Sequence, residues 1–285
     1  MNANSQQLVP TSIKNWLDYA IRQLIVCDIH SANLDAELIL SKELGVDRTY
    51  LHAHHDDLLD NKAVSKANKK LNQRLKRIPL AYIYSQKEFY GRNFQVSTNT
   101  LIPRPESEQM VESLKELFTT GELNISNSLK LIDIGTGCGA LGITAKLEFP
   151  TLQVTLTDIS QPALNIATRN SKKLSSDVKI IQGDLLENYN HTPDVILANL
   201  PYVNPDWNYL KDIDHEPSLA LYASNDGKEL IEKLLIQSSK QLNNNGFILI
   251  ETDPCQHDSL IEYAAKLSLK KYSQIGYIIS FKKVI

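Results

Sequence analysis

The stretch LKLIDIGTGCGALGI, residues 129–143, decides the fold. LKLIDI is a short apolar run of strand length, and GTGCGA follows it at once. Glycines at 135, 137 and 139 let the chain turn sharply and bring backbone N–H groups against a ligand. Taken alone the loop is ambiguous, because GTGCGA also satisfies the dinucleotide pattern GxGxxG/A.

Reading outward, the pattern repeats. VTLTDI (154–159), VKIIQGD (178–184), DVILANL (194–200) and GFILIET (246–252) are apolar runs, each followed by turn residues or a helical stretch. Such alternation predicts an α/β fold, a doubly wound and mostly parallel sheet with helices on both faces. Ligands of such sheets sit at the carboxyl ends of the strands, near the topological switch point. Asp158 ends the second strand, 19 residues after Gly139. A carboxylate there accepts from two ribose hydroxyls; the competing reading is a cap for the helix that starts near Ser160. Asp184 ends the third strand, placed either to accept from an adenine amine or simply to make a turn.

Toward the N-terminus the period changes. Ile13, Trp16, Leu17, Ala20, Ile21, Leu24 and Ile25 form one stripe at helical spacing. Further helices are expected over about 33–44, stopped by Gly45, after Asp47 as N-cap, and over about 62–77 with Val64, Ala67, Leu71, Leu75 and Ile78 inward. AYIYSQKEFYGRNFQVS (81–97) is aromatic and β-prone around Gly91 and predicts a short hairpin. LIPRPESEQMVESLKELF (101–118) places its prolines at or before a helix start. The expected organisation is a helical bundle over 1–78, a hairpin linker over 79–103 and the sheet domain over 104–285.

Composition narrows the class. The 285 residues carry 30 Lys+Arg and 33 Asp+Glu, a formal charge of −3, and 42% of them are apolar. That supports a packed core and excludes wholesale disorder. No run approaches about 18 consecutive apolar residues, so no membrane span is expected. MNANSQQLVP (1–10) lacks the pattern of a secretory signal, and Cys27, Cys138 and Cys255 are odd in number and far apart. Both point to a cytoplasmic protein without a disulfide scaffold. Residues 1–100 hold 13 Lys/Arg and 10 Asp/Glu, whereas residues 101–285 hold 17 and 23. Seven basic residues and no acid fall in 61–77; they read as the solvated face of an amphipathic helix, and no nucleic acid contact is expected except through it. His52, His54, His55, Asp56 and Asp57 match no zinc spacing, and no metal is expected. Cys138 has no nearby base and reads as a small loop residue.

The decisive chemistry lies in Asn199-Leu200-Pro201-Tyr202, directly after the fourth strand. The nitrogen of a planar amide or aryl amine is a poor nucleophile. Acceptance of both its protons, by the Asn199 side-chain oxygen and a backbone carbonyl at Leu200 or Pro201, polarises it and aims it at a sulfonium methyl. Pro201 stiffens the loop and Tyr202 offers a face for the planar group.

IPRPESE (102–108), DIGTGCGALGI (133–143), NLPYVNPD (199–206) and EPSLALYASNDG (216–227), with DAELIL (35–40), RIPLAYI (77–83) and KEFYG (87–91), together resemble the release-factor glutamine methyltransferases, the HemK/PrmC family. The resemblance covers nearly the whole chain. It implies a class I, Rossmann-like methyltransferase that moves a methyl group from S-adenosylmethionine to the glutamine amide in the GGQ loop of peptide-chain release factors. By the same resemblance Gly135, Thr136, Gly137, Cys138 and Gly139 hold the methionine end of the cofactor. Asp158 binds the ribose, and Asp184 and Leu185 flank the adenine. Asn199, Leu200, Pro201 and Tyr202 hold the substrate amide, with Asn199 touching the cofactor side too. Arg104 orients the substrate or makes an ion pair with a glutamate. The helical domain and hairpin grip the protein substrate, and the enzyme is expected to be a monomer.

Two positions depart from the family pattern. Leu200 stands where proline is usual, which removes one source of loop rigidity. Asp253 stands where the fifth strand commonly has glycine, although Glu251 and Gln256 are present; the end after Lys271 also reads as short. Asn-Leu-Pro-Tyr also resembles the ribosomal RNA adenine dimethyltransferases, so an RNA or DNA adenine methyltransferase is one alternative, although the acidic C-terminal part disfavours it. A ribosomal-protein glutamine methyltransferase is the nearest alternative, and PRPESE in place of PRS disfavours it. A nicotinamide oxidoreductase leaves Asn-Leu-Pro-Tyr unexplained, and a silent binding module would show no turnover.

Overall fold

The computed structural model describes residues 11–124, 129–204, 206–207 and 215–284. The stretch MNANSQQLVP and Pro205 of the Asn-Leu-Pro-Tyr motif's extension lie outside the described residues. The chain divides into two units, Met1–Tyr84 and Ser85–Ile285.

The first unit is helical: α1 Ile13–Val26, α2 Ala32–Leu44, α3 Arg48–Ala53, α4 Asn61–Leu75 and the short α5 Leu80–Ile83. Polar caps start three of them. Ser12, Asp47 and Asp60 accept from the backbone N–H of Asn15, Tyr50 and Ala63, which satisfies donors that have no partner inside a helix. Gly45 ends α2 in the left-handed conformation. Ile13, Trp16, Ala20 and Leu24 bury one face of α1 against Ala36, Ile39 and Leu40 of α2 and Val64, Ala67 and Leu71 of α4. Ile25 continues the sequence stripe but is 60% exposed, on the flank where Leu17 and Ile21 are only half-buried, while Leu24 in the same turn is fully buried. Arg74 does not share the solvated basic face of α4. It is buried, and its Nε donates to Asp35 Oδ2 at 2.7 Å. Arg77 donates to the Cys27 carbonyl at 2.8 Å.

The second unit is built on a seven-stranded sheet: β3 Lys130–Ile134, β4 Gln153–Asp158, β5 Lys179–Gln182, β6 Val195–Ala198, β7 Phe247–Glu251, β8 Leu269–Ile275 and β9 Ile278–Lys283. Their order is β5-β4-β3-β6-β7-β9-β8. The pairs from β5 through β7 are parallel, and β9 runs antiparallel to β7 and β8. Helices α6 Glu108–Thr119, α7 Ala140–Glu148, α8 Gln161–Lys173, α9 Glu229–Gln241 and α10 His257–Ala265 connect the strands. β3, β6 and β7 read as continuous apolar runs because both faces of the sheet are covered. Strand order reverses between β3 and β6, and this switch point carries the site.

The stretch 79–103, expected as a hairpin linker, contributes to both units. α5 belongs to the first. The hairpin β1 Gln86–Phe89 and β2 Arg92–Gln95 belongs to the second, where Asn170 of α8 accepts from Gln95 N at 2.7 Å and donates to its carbonyl at 2.9 Å. At the C-terminal side, β8 and β9 complete the sheet.

Candidate active site

Two cavities meet at the carboxyl ends of β3 and β6. The first is a cleft of about 200 Å³, open to solvent. Gly135, Thr136, Gly137 and Cys138 line it, with Asp158, Asp184, Leu185, Asn199, Leu200 and Pro201. Gly139 is the N-cap of α7 directly behind that wall. The second cavity is lined by Arg104, Glu106, Tyr202, Glu251 and Tyr277 among others, and shares Leu101, Asn199, Leu200 and Ala220 with the first. Asn199 and Leu200 therefore form part of the partition between the two.

The glycine loop is held from below. Asp133 is buried, and its Oδ2 accepts from Thr136 Oγ1 at 2.5 Å and from Gly142 N at 2.9 Å. Burial pushes its carboxyl up to about 7, against the pull of those two donors, and the nearby Asp158 charge pushes the same way. Gly135 has φ +68°, and a Cβ there would sit 2.9 Å from Leu200 Cδ2. The loop after β3 and the loop after β6 thus touch here, and the positive φ favours glycine at the contact.

Asp158 acts as a clamp at the end of β4. Its Oδ2 accepts from Gly137 N at 2.9 Å and its Oδ1 from Ser160 N at 2.8 Å. The helix cap of α8 is Ser160, whose hydroxyl accepts from Ala163 N. Burial raises the Asp158 carboxyl above its ordinary range, opposed by the N–H groups of Ser160, Gly137 and Ile159. Three backbone N–H groups leave the carboxylate one acceptor site for a ligand hydroxyl. Asp184 receives Lys233 Nζ at 2.5 Å, so the acid at the third strand end is an ion-paired wall of the cleft. Cys138 is buried and its thiol is raised by burial, the opposite of what a nucleophile needs.

On the other side, side chains do the holding. Asn199 Nδ2 donates to Ser107 Oγ at 3.1 Å, and Ser107 Oγ donates to Glu251 Oε2 at 2.5 Å. Tyr202 OH donates to Glu251 Oε1 at 3.4 Å. Burial raises the Glu251 carboxyl, opposed by hydrogen bonds from Ser107, Asn199 and Tyr202 and reinforced by the charge of Glu106. Sequence reasoning noted Glu251 and quoted Ser107 within IPRPESE, but gave neither a role. A signal was present: Glu251 is the acid at the carboxyl end of the strand beside β6.

Three further contacts fix the loop after β6. Leu200 is buried in the sheet core, so packing supplies rigidity at the position where the family usually has proline. Gln256 Nε2 donates to the Tyr202 carbonyl at 3.0 Å and is itself set by a capping box with Asp253. Asp253 thus has a local reason to replace glycine. Gly227 lies against the same carbonyl, where a Cβ would come within 1.9 Å. Arg104 pairs with buried Glu216 at 2.5 Å, and Glu216 also accepts from Ile102 N at 3.0 Å; of the two roles expected of Arg104, the ion pair is present.

Comparison with known proteins follows these elements. Residues 15–84 match the PrmC N-terminal domain, and residues 108–213 match the methyltransferase small domain. The chain is 34% identical over 245 residues to the release factor glutamine methyltransferase of Koribacter versatilis, covering 84% of this chain and 86% of that one. It is 34% identical over 262 residues to that of Leptospira interrogans, covering 88% and 89%. The chain belongs to the release factor glutamine methyltransferase family. Among solved structures, a methyltransferase from Pyrococcus furiosus superimposes with a TM-score of 0.53 at 19% identity, covering 78% of this chain and 100% of that one. A 16S rRNA N2 methyltransferase of T. thermophilus, in complex with AdoMet and guanosine, gives 0.52 at 13%, covering 70% and 50%. These likenesses bear on the fold alone. The methyltransferase's cleft also suits the expected cofactor: the backbone at Gly137 leaves open space where a Cβ would point, and Asp158 stands on its wall.

Among the described residues, no cluster of three or more His, Cys, Asp or Glu is placed to hold a metal ion, and no helix is long and apolar enough to cross a membrane. His52, His54 and His55 instead make separate carboxylate contacts with Glu37, Asp57 and Asp56.

Proposed function

We propose that this enzyme methylates the side-chain amide of the glutamine in the GGQ loop of peptide-chain release factors, with S-adenosylmethionine as donor. The observation that carries the reading is the shared wall: Asn199 and Leu200 border both the glycine-lined cleft and the second cavity. A donor in the first and an acceptor amide in the second meet there. Gly135, Thr136, Gly137, Cys138 and Gly139 hold the methionine end of the donor, Asp158 its ribose, and Asp184 with Leu185 its adenine. When bound, S-adenosylmethionine supplies an electrophilic methyl group. Asn199 Oδ1 and the carbonyl of Leu200 or Pro201 accept the two amide protons, which points the nitrogen lone pair toward the cleft. Tyr202 packs on the amide plane, and Arg104, held by Glu216, lines the approach.

The protein works as a cytoplasmic monomer on a protein partner. The helical unit assists substrate recognition, and Lys62, Lys66, Lys69, Lys70 and Lys76 are its means of meeting an acidic or phosphate-bearing surface. The test is methyl transfer from labelled S-adenosylmethionine to full-length release factor, beside a GGQ-to-GGA form of that factor. Label on the unaltered factor alone is expected. Label on neither, with label on ribosomal RNA or a ribosomal protein, contradicts the proposal.

A further inference from the structure

The chain of hydrogen bonds behind Asn199 has a direction, and the direction has a consequence for the reaction proposed above, on which this inference rests. A carboxylate only accepts, so Glu251 takes the hydroxyl proton of Ser107. Ser107 Oγ is then left with acceptor capacity alone for its neighbour on the other side. Of the two ends of the Asn199 amide, only Nδ2 can serve it, and Nδ2 is the end that faces it, at 3.1 Å. The carbonyl end is what remains for a ligand. An asparagine with the opposite orientation would present N–H to an amide N–H, a repulsive contact.

We propose that Ser107 and Glu251 are positioning residues: the buried carboxylate, directly and through the serine hydroxyl, fixes which end of the Asn199 amide meets the reacting amide. Ser107 is 3% exposed and Glu251 1%, so water does not substitute for either partner. Tyr202 donates to the other carboxylate oxygen, and one group thereby organises both side chains that flank the acceptor. Protonation of Glu251 supplies a donor toward Ser107, frees the serine proton to point at Asn199, and removes the preference for Oδ1 outward.

The groups facing the carboxylate are identifiable. The turn before α6 contributes Glu106, whose charge favours protonation of Glu251, and Arg104, which is tied to Glu216. The loop after β6 contributes Tyr202, the β8–β9 turn places Tyr277 on the same cavity, and β9 pairs Ile278 opposite Glu251. Glu108 of α6 accepts from Tyr90 N instead. Burial raises the Glu251 carboxyl above the ordinary glutamate range. Activity that needs the carboxylate falls as pH drops, and does so closer to neutrality than for an exposed glutamate.

The experiment has two arms. In the first, kcat of the wild type on release factor falls at acid pH; Ser107→Ala lowers kcat by about 10- to 100-fold with KM for S-adenosylmethionine nearly unchanged. Ser107→Thr, which keeps the hydroxyl, restores most of the rate, and Glu251→Gln loses the acid limb. In the second arm, the side-chain amide resonances of Asn199 in the free protein shift with the Glu251 titration, and the shift is smaller in Ser107→Ala. Folded Ser107→Ala with unchanged kcat, equal impairment in Ser107→Ala and Ser107→Thr, an acid limb kept in Glu251→Gln, or Asn199 resonances blind to pH each overturn the inference. A wild type that labels no release factor while the Asn199 resonances titrate as described removes the proposed substrate and leaves the positioning role standing.

Discussion

The loop after β3 and the loop after β6 lie side by side but are built by different means. The first is made of backbone. Gly135 is held at φ +68°, Asp133 is buried beneath the loop, and Asp158 is tied by two backbone N–H groups. The second is made of side chains that come from far apart: Asn199 reaches Ser107 across 92 residues of sequence, and Ser107 reaches Glu251 across 144. A backbone cradle suits a donor common to many reactions. A side-chain network suits the acceptor, where the choice of substrate and the alignment of the reacting nitrogen are made.

That contrast predicts which properties separate on mutation. Asn199→Ala is expected to lower turnover by on the order of 10²-fold, comparable to losing one oriented transition-state hydrogen bond, with a smaller change in S-adenosylmethionine affinity. Steady-state kinetics with isothermal titration of the cofactor checks both; near-normal turnover removes Asn199 from the mechanism. Gly135→Ala is expected to join the two effects, because its methyl group must displace Leu200, the neighbour of Asn199, and the positive φ adds a cost of about 1–2 kcal/mol. Cofactor affinity and kcat should both fall; a change in only one breaks the idea that the loops are coupled at this contact. Asp158→Ala is expected to weaken the cofactor by roughly tenfold, the worth of a charge-assisted hydrogen bond, and to leave kcat at saturating cofactor nearly intact.

The remaining prediction concerns stability. The folded-state carboxyl of Asp133 is raised to about 7 from an ordinary value near 3.8. The folded chain therefore holds this proton more tightly than the unfolded chain does. Its contribution to stability is most favourable below the ordinary aspartate range, declines as pH rises toward 7, and is flat above. Asp133→Asn should flatten that decline, read as the difference in urea midpoint between the variant and wild type at pH 4.5 and 7.5; identical slopes contradict the raised value.

The two loops were also unequally legible in sequence. Glycine spacing, a strand-end acid and Asn-Leu-Pro-Tyr are local signals, because a turn imposes its residues within a few positions. Ser107 and Glu251 carry no such mark, since what joins them is tertiary packing of the turn before α6 on the end of β7. β8 was missed for another reason. As an edge strand it alternates few buried residues with Lys270, Lys271 and Gln274 in solvent, so it lacks the apolar run that announced β3, β6 and β7. Ile25 shows the converse, an apolar residue in helical register that faces solvent because it lies at the edge of the stripe, beside the fully buried Leu24.

The most direct measurement is mass mapping of release factor after a single turnover with S-adenosylmethionine, comparing wild type with Asn199→Ala at saturating cofactor. One added methyl group on the side-chain nitrogen of the GGQ glutamine, formed quickly by the wild type and on the order of 10²-fold more slowly by the variant, is the predicted result. A methyl group on any other atom, or equal rates for the two proteins, contradicts the account.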